Sequence, residues 1–184
     1  MDPNSPAVDE SVEVPTAADM RDLGERLAGL LRAGDLVVLS GSLGAGKTTL
    51  TQGIGAGLGV RGPVTSPTFV IARQHPSLRG GPGLVHADAY RLGSRAEVDD
   101  LDLDTDVATS VTVVEWGEGL VEDLAPSFLQ VAISAAQPGP AQSGADEADA
   151  GDRDEVRKVR VVGWGERWRD AAPAARQVLA GRRA

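Results

Sequence analysis

A chain of 184 residues and 19.0 kDa, 41% hydrophobic and 24% charged, can bury about two-thirds of its unfolded surface in one core and is short for two. It has no cysteine, which excludes disulfides, thiolate zinc sites, iron–sulfur sites and a cysteine nucleophile, and its two histidines, His75 and His86, exclude a histidine-rich metal centre. The net charge of −9 lies in Met1–Pro15, with four acids and no base, and Gln137–Glu155, with six acids and one base; the remainder divides into an acidic Thr16–Ala136 and a basic Val156–Ala184. No broad basic face results, so direct nucleic-acid binding is not expected, although the basic C-terminal segment leaves it open. No apolar run approaches the roughly 20 residues of a membrane span, and Met1–Pro15 has neither the basic nor the apolar stretch of a signal peptide. A cytoplasmic protein without membrane contact is expected.

Met1–Pro15 is polar, acidic and proline-punctuated, the composition of a disordered tail, which places the domain at 16–184. Thr16 reads as an N-cap, with Asp19 three residues on in a variant of the capping box. Met20, Leu23, Leu27, Leu30 and Leu31 then recur at helical spacing until Gly34. Leu36–Ser40 is a short apolar run suited to a buried parallel strand, and Lys47–Leu58 carries Leu50, Ile54 and Leu58 on one helical face before Gly59. Arg61–Pro67 is turn-like. Phe69–Ala72, Leu84–Asp88 and Val111–Glu115 read as strands, with a short helix at Ser94–Leu101 and an acidic loop after it. Phe128–Ala135 and Val156–Val162 alternate as an antiparallel pair does, joined by Gln137–Glu155, whose Pro, Gly, Ala and Asp content marks a flexible insertion. Arg167–Leu179 reads as a helix that Pro173 kinks or divides. The order defines an α/β class: one three-layer P-loop domain, its central sheet mostly parallel, with an antiparallel strand pair near the C-terminal end.

The chemistry is carried by Gly41-Ser42-Leu43-Gly44-Ala45-Gly46-Lys47-Thr48, which satisfies G-x-x-x-x-G-K-[ST] and lies between an apolar strand and a helix, where its mechanism requires it. Glycines let backbone N–H groups turn inward around phosphate oxygens, and the following helix presents its positive end to the same charge. Lys47 can reach the β- and γ-phosphates, Thr48 can ligate Mg²⁺, and Thr49 completes the nucleotide-binding set. The bland alternative is a glycine-rich turn before a helix; in a chain with only two lysines the full pattern is rarely met by chance.

Such a loop works with a second carboxylate, commonly at a neighbouring strand end, that holds Mg²⁺ or orients water. Asp88 and Glu115 both close apolar strands, and either could instead cap a turn. Thr65-Ser66-Pro67-Thr68 occupies the region where a γ-phosphate-sensing segment is expected, against the alternative of a plain turn around Pro67. Spacing places Trp116 in the core rather than over the nucleotide, and has His86 packing or hydrogen-bonding rather than catalysing. The cluster Glu97, Asp99, Asp100, Asp102, Asp104 and Asp106 reads as a solvated face, since EF-hand spacing and its glycine are absent.

Together, residues 41–50 (Gly-Ser-Leu-Gly-Ala-Gly-Lys-Thr-Thr-Leu), 65–69 (Thr-Ser-Pro-Thr-Phe), 86–92 (His-Ala-Asp-Ala-Tyr-Arg-Leu) and 114–116 (Val-Glu-Trp) resemble, in order, the four signatures of the bacterial TsaE (YjeE) ATPase family. The likeness covers Thr16–Ile133 and, in part, Val156–Val162. It implies the ATPase component of the machinery that makes N6-threonylcarbamoyladenosine at position 37 of tRNAs, acting with TsaB and TsaD and reaching tRNA only through that complex. By motif, the resemblance assigns Lys47 and the loop amides to the triphosphate of ATP, Thr48 and Glu115 to Mg²⁺, Asp88 to hydrolysis, Trp116 to the nucleotide site and Thr65 to a switch. Two departures stand out: Ser42 where the family often has Asp, and Phe69 where it often has Tyr. Ser42 leaves the backbone cradle intact but removes a loop carboxylate, so a role resting on that acid does not transfer.

Two other classes use the same parts. A small-molecule kinase would need an arginine-rich lid and an acceptor pocket, yet Arg61, Arg73, Arg79, Arg91 and Arg95 are scattered. A nucleotide-controlled binding module would turn over neither alone nor with partners. The acidic balance favours nucleotide-driven action on a partner protein over holding tRNA directly.

Overall fold

Strand β2 (Leu36–Ser40) is apolar at four successive positions and buried on both faces, as a central parallel strand must be. Around it the computed structural model describes residues 5–67, 72–91, 97, 108–135 and 156–181. The other strands are β1 (Val8–Val14), β3 (Ala72–His75), β4 (Gly83–Asp88), β5 (Ser110–Glu115), β6 (Phe128–Ala135) and β7 (Arg157–Trp164). Helices α1 (Ala17–Ala28), α2 (Lys47–Leu58) and α3 (Glu166–Leu179) and a 3-10 turn at Glu122–Leu124 accompany them. One seven-stranded sheet runs in the order β1-β7-β6-β2-β5-β4-β3. β6, β2, β5 and β4 are mutually parallel, while β7, β1 and β3 each pair antiparallel with a neighbour. The parallel centre and the antiparallel β6–β7 pair are those expected from the sequence.

These three helices pack on one face, over Val37, Leu39, Val113, Val131, Val161 and their neighbours. The opposite face, with Leu36, Val38, Val85, Ala87 and Val114, is covered among the described residues by Val121 and Ala125 of the segment after β5. α1 begins with the expected capping box: Asp19 N donates to Thr16 Oγ1 at 3.1 Å and Thr16 N to Asp19 Oδ2 at 3.1 Å. It ends at Gly29 rather than Gly34. α1 and α2 meet through glycine. A Cβ on Gly53 would lie 2.1 Å from the Arg21 carbonyl oxygen, and one on Gly24 would lie 2.3 Å from that of Leu50.

Met1–Pro15 is not wholly a tail. Residues 8–14 form β1, paired along its length with β7, with Val8 and Val14 buried. The charges that suggested disorder are used there: Asp9 accepts a two-pronged hydrogen bond from Arg160 of β7 (2.8 and 2.7 Å), and Glu10 meets Arg176 of α3 (3.3 Å). Pro173 does not divide α3, which is one helix from Glu166 to Leu179. β3 starts at Ala72, where the expected strand ends. Its expected residues 69–71, the helix expected over Ser94–Leu101 apart from Glu97, and the insertion Gln137–Glu155 lie outside the described residues. Among the described residues no helix is long and apolar enough to cross a membrane.

Candidate functional site

The C-terminal ends of three adjacent parallel strands build the site. Leu39 of β2 is in register with Glu115 of β5, and Glu115 with Asp88 of β4, so the loop after β2 and both strand-end carboxylates come side by side. The loop turns through left-handed glycines, Gly41 (φ 144°), Gly44 (77°) and Gly46 (109°), conformations that L side chains resist. At Gly41 a Cβ would also strike the Ile133 carbonyl oxygen at 2.5 Å. Gly46 caps α2 with no side chain, leaving the first helical amides to whatever anion lies before them.

Lys47 is buried, and its Nζ donates to the carbonyl oxygens of Gly41 (2.7 Å) and Ser42 (2.9 Å). The ammonium also lies 3.9 Å from the centroid of the Trp116 ring, a cation–π contact. Burial pushes its pKa down from the ordinary lysine value, partly opposed by the nearby carboxylates of Glu115 and Asp88. Thr48 Oγ1 donates to Glu115 Oε1 at 3.0 Å, and His86 Nε2 approaches the same oxygen at 2.8 Å. Asp88 Oδ1 accepts the amide N–H of Tyr90 at 2.9 Å. Trp116 adopts φ 61°, uncommon for a bulky residue, and is fixed by its N–H to the Leu39 carbonyl oxygen at 2.9 Å; its ring meets that of Tyr90 at 5.3 Å.

Of these, Lys47, Thr48, Asp88, Tyr90, Glu115 and Trp116 line a cleft of about 400 Å³ together with Leu43, Gly44, Ala45, Gly46, Thr49 and Ser66. Gly41 and Ser42 do not line it; their carbonyl oxygens hold Lys47 instead. Thr65 is exposed and its neighbour Ser66 faces the cleft, while Thr68 lies outside the described residues. Spacing put Trp116 in the core; its left-handed turn at the strand end brings it over Lys47 instead. Tyr90, to which the sequence reading gave no role, stands on the cleft wall, and its signal was that of the chain's one tyrosine two residues past a strand-end acid. His86 does hydrogen-bond, and its partner is Glu115.

The site fits an anion of phosphate type: glycines without Cβ atoms, an uncapped helix start and one ammonium converge on one side. On the other side the Thr48 hydroxyl and the Glu115 carboxylate are hard oxygen donors of the kind that would hold Mg²⁺, with the Asp88 carboxylate on the same wall.

Sheet, loop and cleft define the chain as a P-loop α/β domain. The pattern of the family described as "Threonylcarbamoyl adenosine biosynthesis protein TsaE" matches residues 14–143, and the chain belongs to that family. It is 61% identical over 163 residues to the tRNA threonylcarbamoyladenosine biosynthesis protein TsaE of Streptomyces coelicolor, covering 88% of this chain and 100% of the relative. The protein of that name from Bacillus subtilis is 37% identical over 119 residues, 64% of this chain and 73% of the relative. Among solved structures, Bacillus subtilis YdiB superposes with a TM-score of 0.64 at 25% identity, over 95% of each chain.

Proposed function

We propose that this chain is a Mg²⁺-dependent ATPase of the cytoplasm that serves tRNA N6-threonylcarbamoyladenosine biosynthesis by acting on a TsaB–TsaD complex. The carrying observation is the convergence of Lys47, Thr48, Glu115 and Asp88 on one cleft beside an uncapped helix start. Membership of the TsaE family, with relatives named for that pathway, supports the process.

In this reading Lys47 exchanges the carbonyl oxygens of Gly41 and Ser42 for phosphate oxygens, and the first amides of α2 take others. Thr48 and Glu115 hold Mg²⁺, which when bound neutralises charge on the phosphates. Asp88, its Oδ1 tied to the Tyr90 amide, has its other carboxylate oxygen to orient the attacking water. Trp116 and Tyr90 wall the cleft beside the nucleotide.

The test is release of inorganic phosphate from ATP by the purified chain, with and without TsaB–TsaD, in Mg²⁺ and in EDTA. Mg²⁺-dependent release that rises with the partners is expected. Phosphate transfer to a small acceptor would make it a kinase, and nucleotide binding with no turnover under any condition would make it a pure switch.

A further inference from the structure

Glu115 Oε1 has a second hydrogen-bonding neighbour that the proposed chemistry leaves unused. His86 lies in β4, two residues before Asp88, fully buried, and its Nε2 stands 2.8 Å from that oxygen. In the β4–β5 register His86 is opposite Val113 while Asp88 is opposite Glu115, so the imidazole reaches one step diagonally along the sheet to the carboxylate. A carboxylate only accepts, so Nε2 carries the proton and donates. Nδ1 is buried and without a partner among the described residues. A buried polar atom left unpaired is costly, and packing alone would be served better by an apolar side chain at this position. The bond at Nε2 is what offsets that cost. Thr48 and His86 both donate to Oε1, and Oε2 has no partner among the described residues.

We infer that His86 is a positioning residue for magnesium: it pins Glu115 by Oε1 so that Oε2 is the oxygen held ready for the metal. The inference rests on the proposed function, which puts Glu115 at Mg²⁺. It gives β4 two tasks at one strand end, Asp88 toward the water and His86 toward the carboxylate on the next strand. The arrangement is the outer-shell device by which a buried group orients a metal-binding one and raises its affinity.

The test is the Mg²⁺ dependence of binding a fluorescent ADP analogue, with a thermal melt of each variant. His86→Leu removes the donor, and His86→Gln offers an amide N–H in its place. The half-saturating Mg²⁺ concentration is expected to rise about tenfold or more in His86→Leu, the effect typical of losing an outer-shell partner, and to return to within about threefold of wild type in His86→Gln. Affinity in EDTA should be unaltered in both. Glu115→Gln should raise the Mg²⁺ requirement by itself, and adding His86→Leu to it should change little more, because the histidine acts through the carboxylate. A folded His86→Leu with a normal Mg²⁺ requirement, beside a raised one in Glu115→Gln, overturns the positioning role alone. A normal requirement in Glu115→Gln overturns the metal assignment and this inference together. Should His86→Leu fail to fold, nitrogen-15 spectra of histidine in the wild-type protein decide. A proton on Nε2, with a signal that moves more on adding Mg²⁺ and ADP than on adding ADP in EDTA, supports the inference; an Nε2 without a proton, or equal movements, overturns it.

Discussion

The ammonium of Lys47 is held by two loop carbonyls and an indole face, with burial working against its charge. The loop itself closes through backbone hydrogen bonds, Ala45 N–H to the Ser42 oxygen at 3.1 Å and Leu50 N–H to the Gly46 oxygen at 2.9 Å, which need no side chain. Lys47→Ala should therefore keep its circular dichroism spectrum while ATP turnover falls by about a hundredfold or more, as when a preorganised charge is removed from a developing one. Full turnover in a folded variant would sink the phosphate-loop reading. The two carboxylates separate by partner. Glu115 is tied to Thr48 and His86, so Glu115→Gln should raise the Mg²⁺ requirement; Asp88 is tied only to a backbone amide among the described residues, so Asp88→Asn should slow hydrolysis and leave the Mg²⁺ titration unchanged. Equal Mg²⁺ titrations in the two variants would contradict that division. The cradle was legible in the sequence because it is contiguous, and the strand-end acids because apolar runs announce where strands stop. Trp116 was misplaced because its position depends on one left-handed backbone angle, and no spacing rule encodes that.

Helix α2 brings Lys47 and Thr48 to the cleft, and its own place is set by how closely α1 lies against it. Gly53 is in contact with the α1 backbone, where a methyl group would sit 2.1 Å from the Arg21 carbonyl oxygen. Alanine is the better helix former by up to about 1 kcal/mol, but overpacking against backbone costs about 1–3 kcal/mol and the helices must part to relieve it. Gly53→Ala is accordingly expected to lower the melting temperature despite the gain in propensity; a rise would show that the helix pair yields freely. β1 makes the complementary case. Val8 is fully buried in the same core cluster as Trp168 of α3, so Val8→Ala should cost about 2 kcal/mol in lost methyl burial and cavity, a fall of about 4–8 °C in a chain of this size. Were residues 1–15 a tail, the same substitution would do nothing. Composition hid this strand: three prolines and four acids outweighed the two-residue alternation of Val8, Val12 and Val14, which Glu10 interrupts. Glu10 is tolerated in that row because it reaches Arg176 at the rim. The central strands were legible because each is a short apolar run, whereas an edge strand needs only half its positions apolar and depends for pairing on β7, more than 140 residues away in the chain.

For the molecule as a whole, the pairing of β1 with β7 also decides what the basic C-terminal segment can do. Arg160, Arg167 and Arg176 are engaged with Asp9, Asp35 and Glu10, and Arg157 and Arg169 have partners of their own. A segment in which Arg160, Arg167 and Arg176 are answered by the protein's own carboxylates, in a chain of net charge −9, is poorly suited to hold tRNA by its phosphates. The cleft, by contrast, gathers Lys47, Thr48, Asp88 and Glu115, and two of its large side chains, Leu43 and Tyr90, are 93% and 67% exposed, apolar surface better matched to protein than to nucleic acid. ATP turnover is therefore expected to couple to a protein complex. In a reconstituted system ATP should promote association with TsaB–TsaD, hydrolysis should reset the complex, and wild-type chain should sustain repeated rounds of threonylcarbamoyl transfer where Lys47→Ala does not. TsaB–TsaD should raise phosphate release well above the level reached with bare tRNA. If Lys47→Ala sustains those rounds as well as wild type, or if bare tRNA stimulates hydrolysis as strongly as the partner proteins, the coupling runs through something other than the nucleotide state of this cleft.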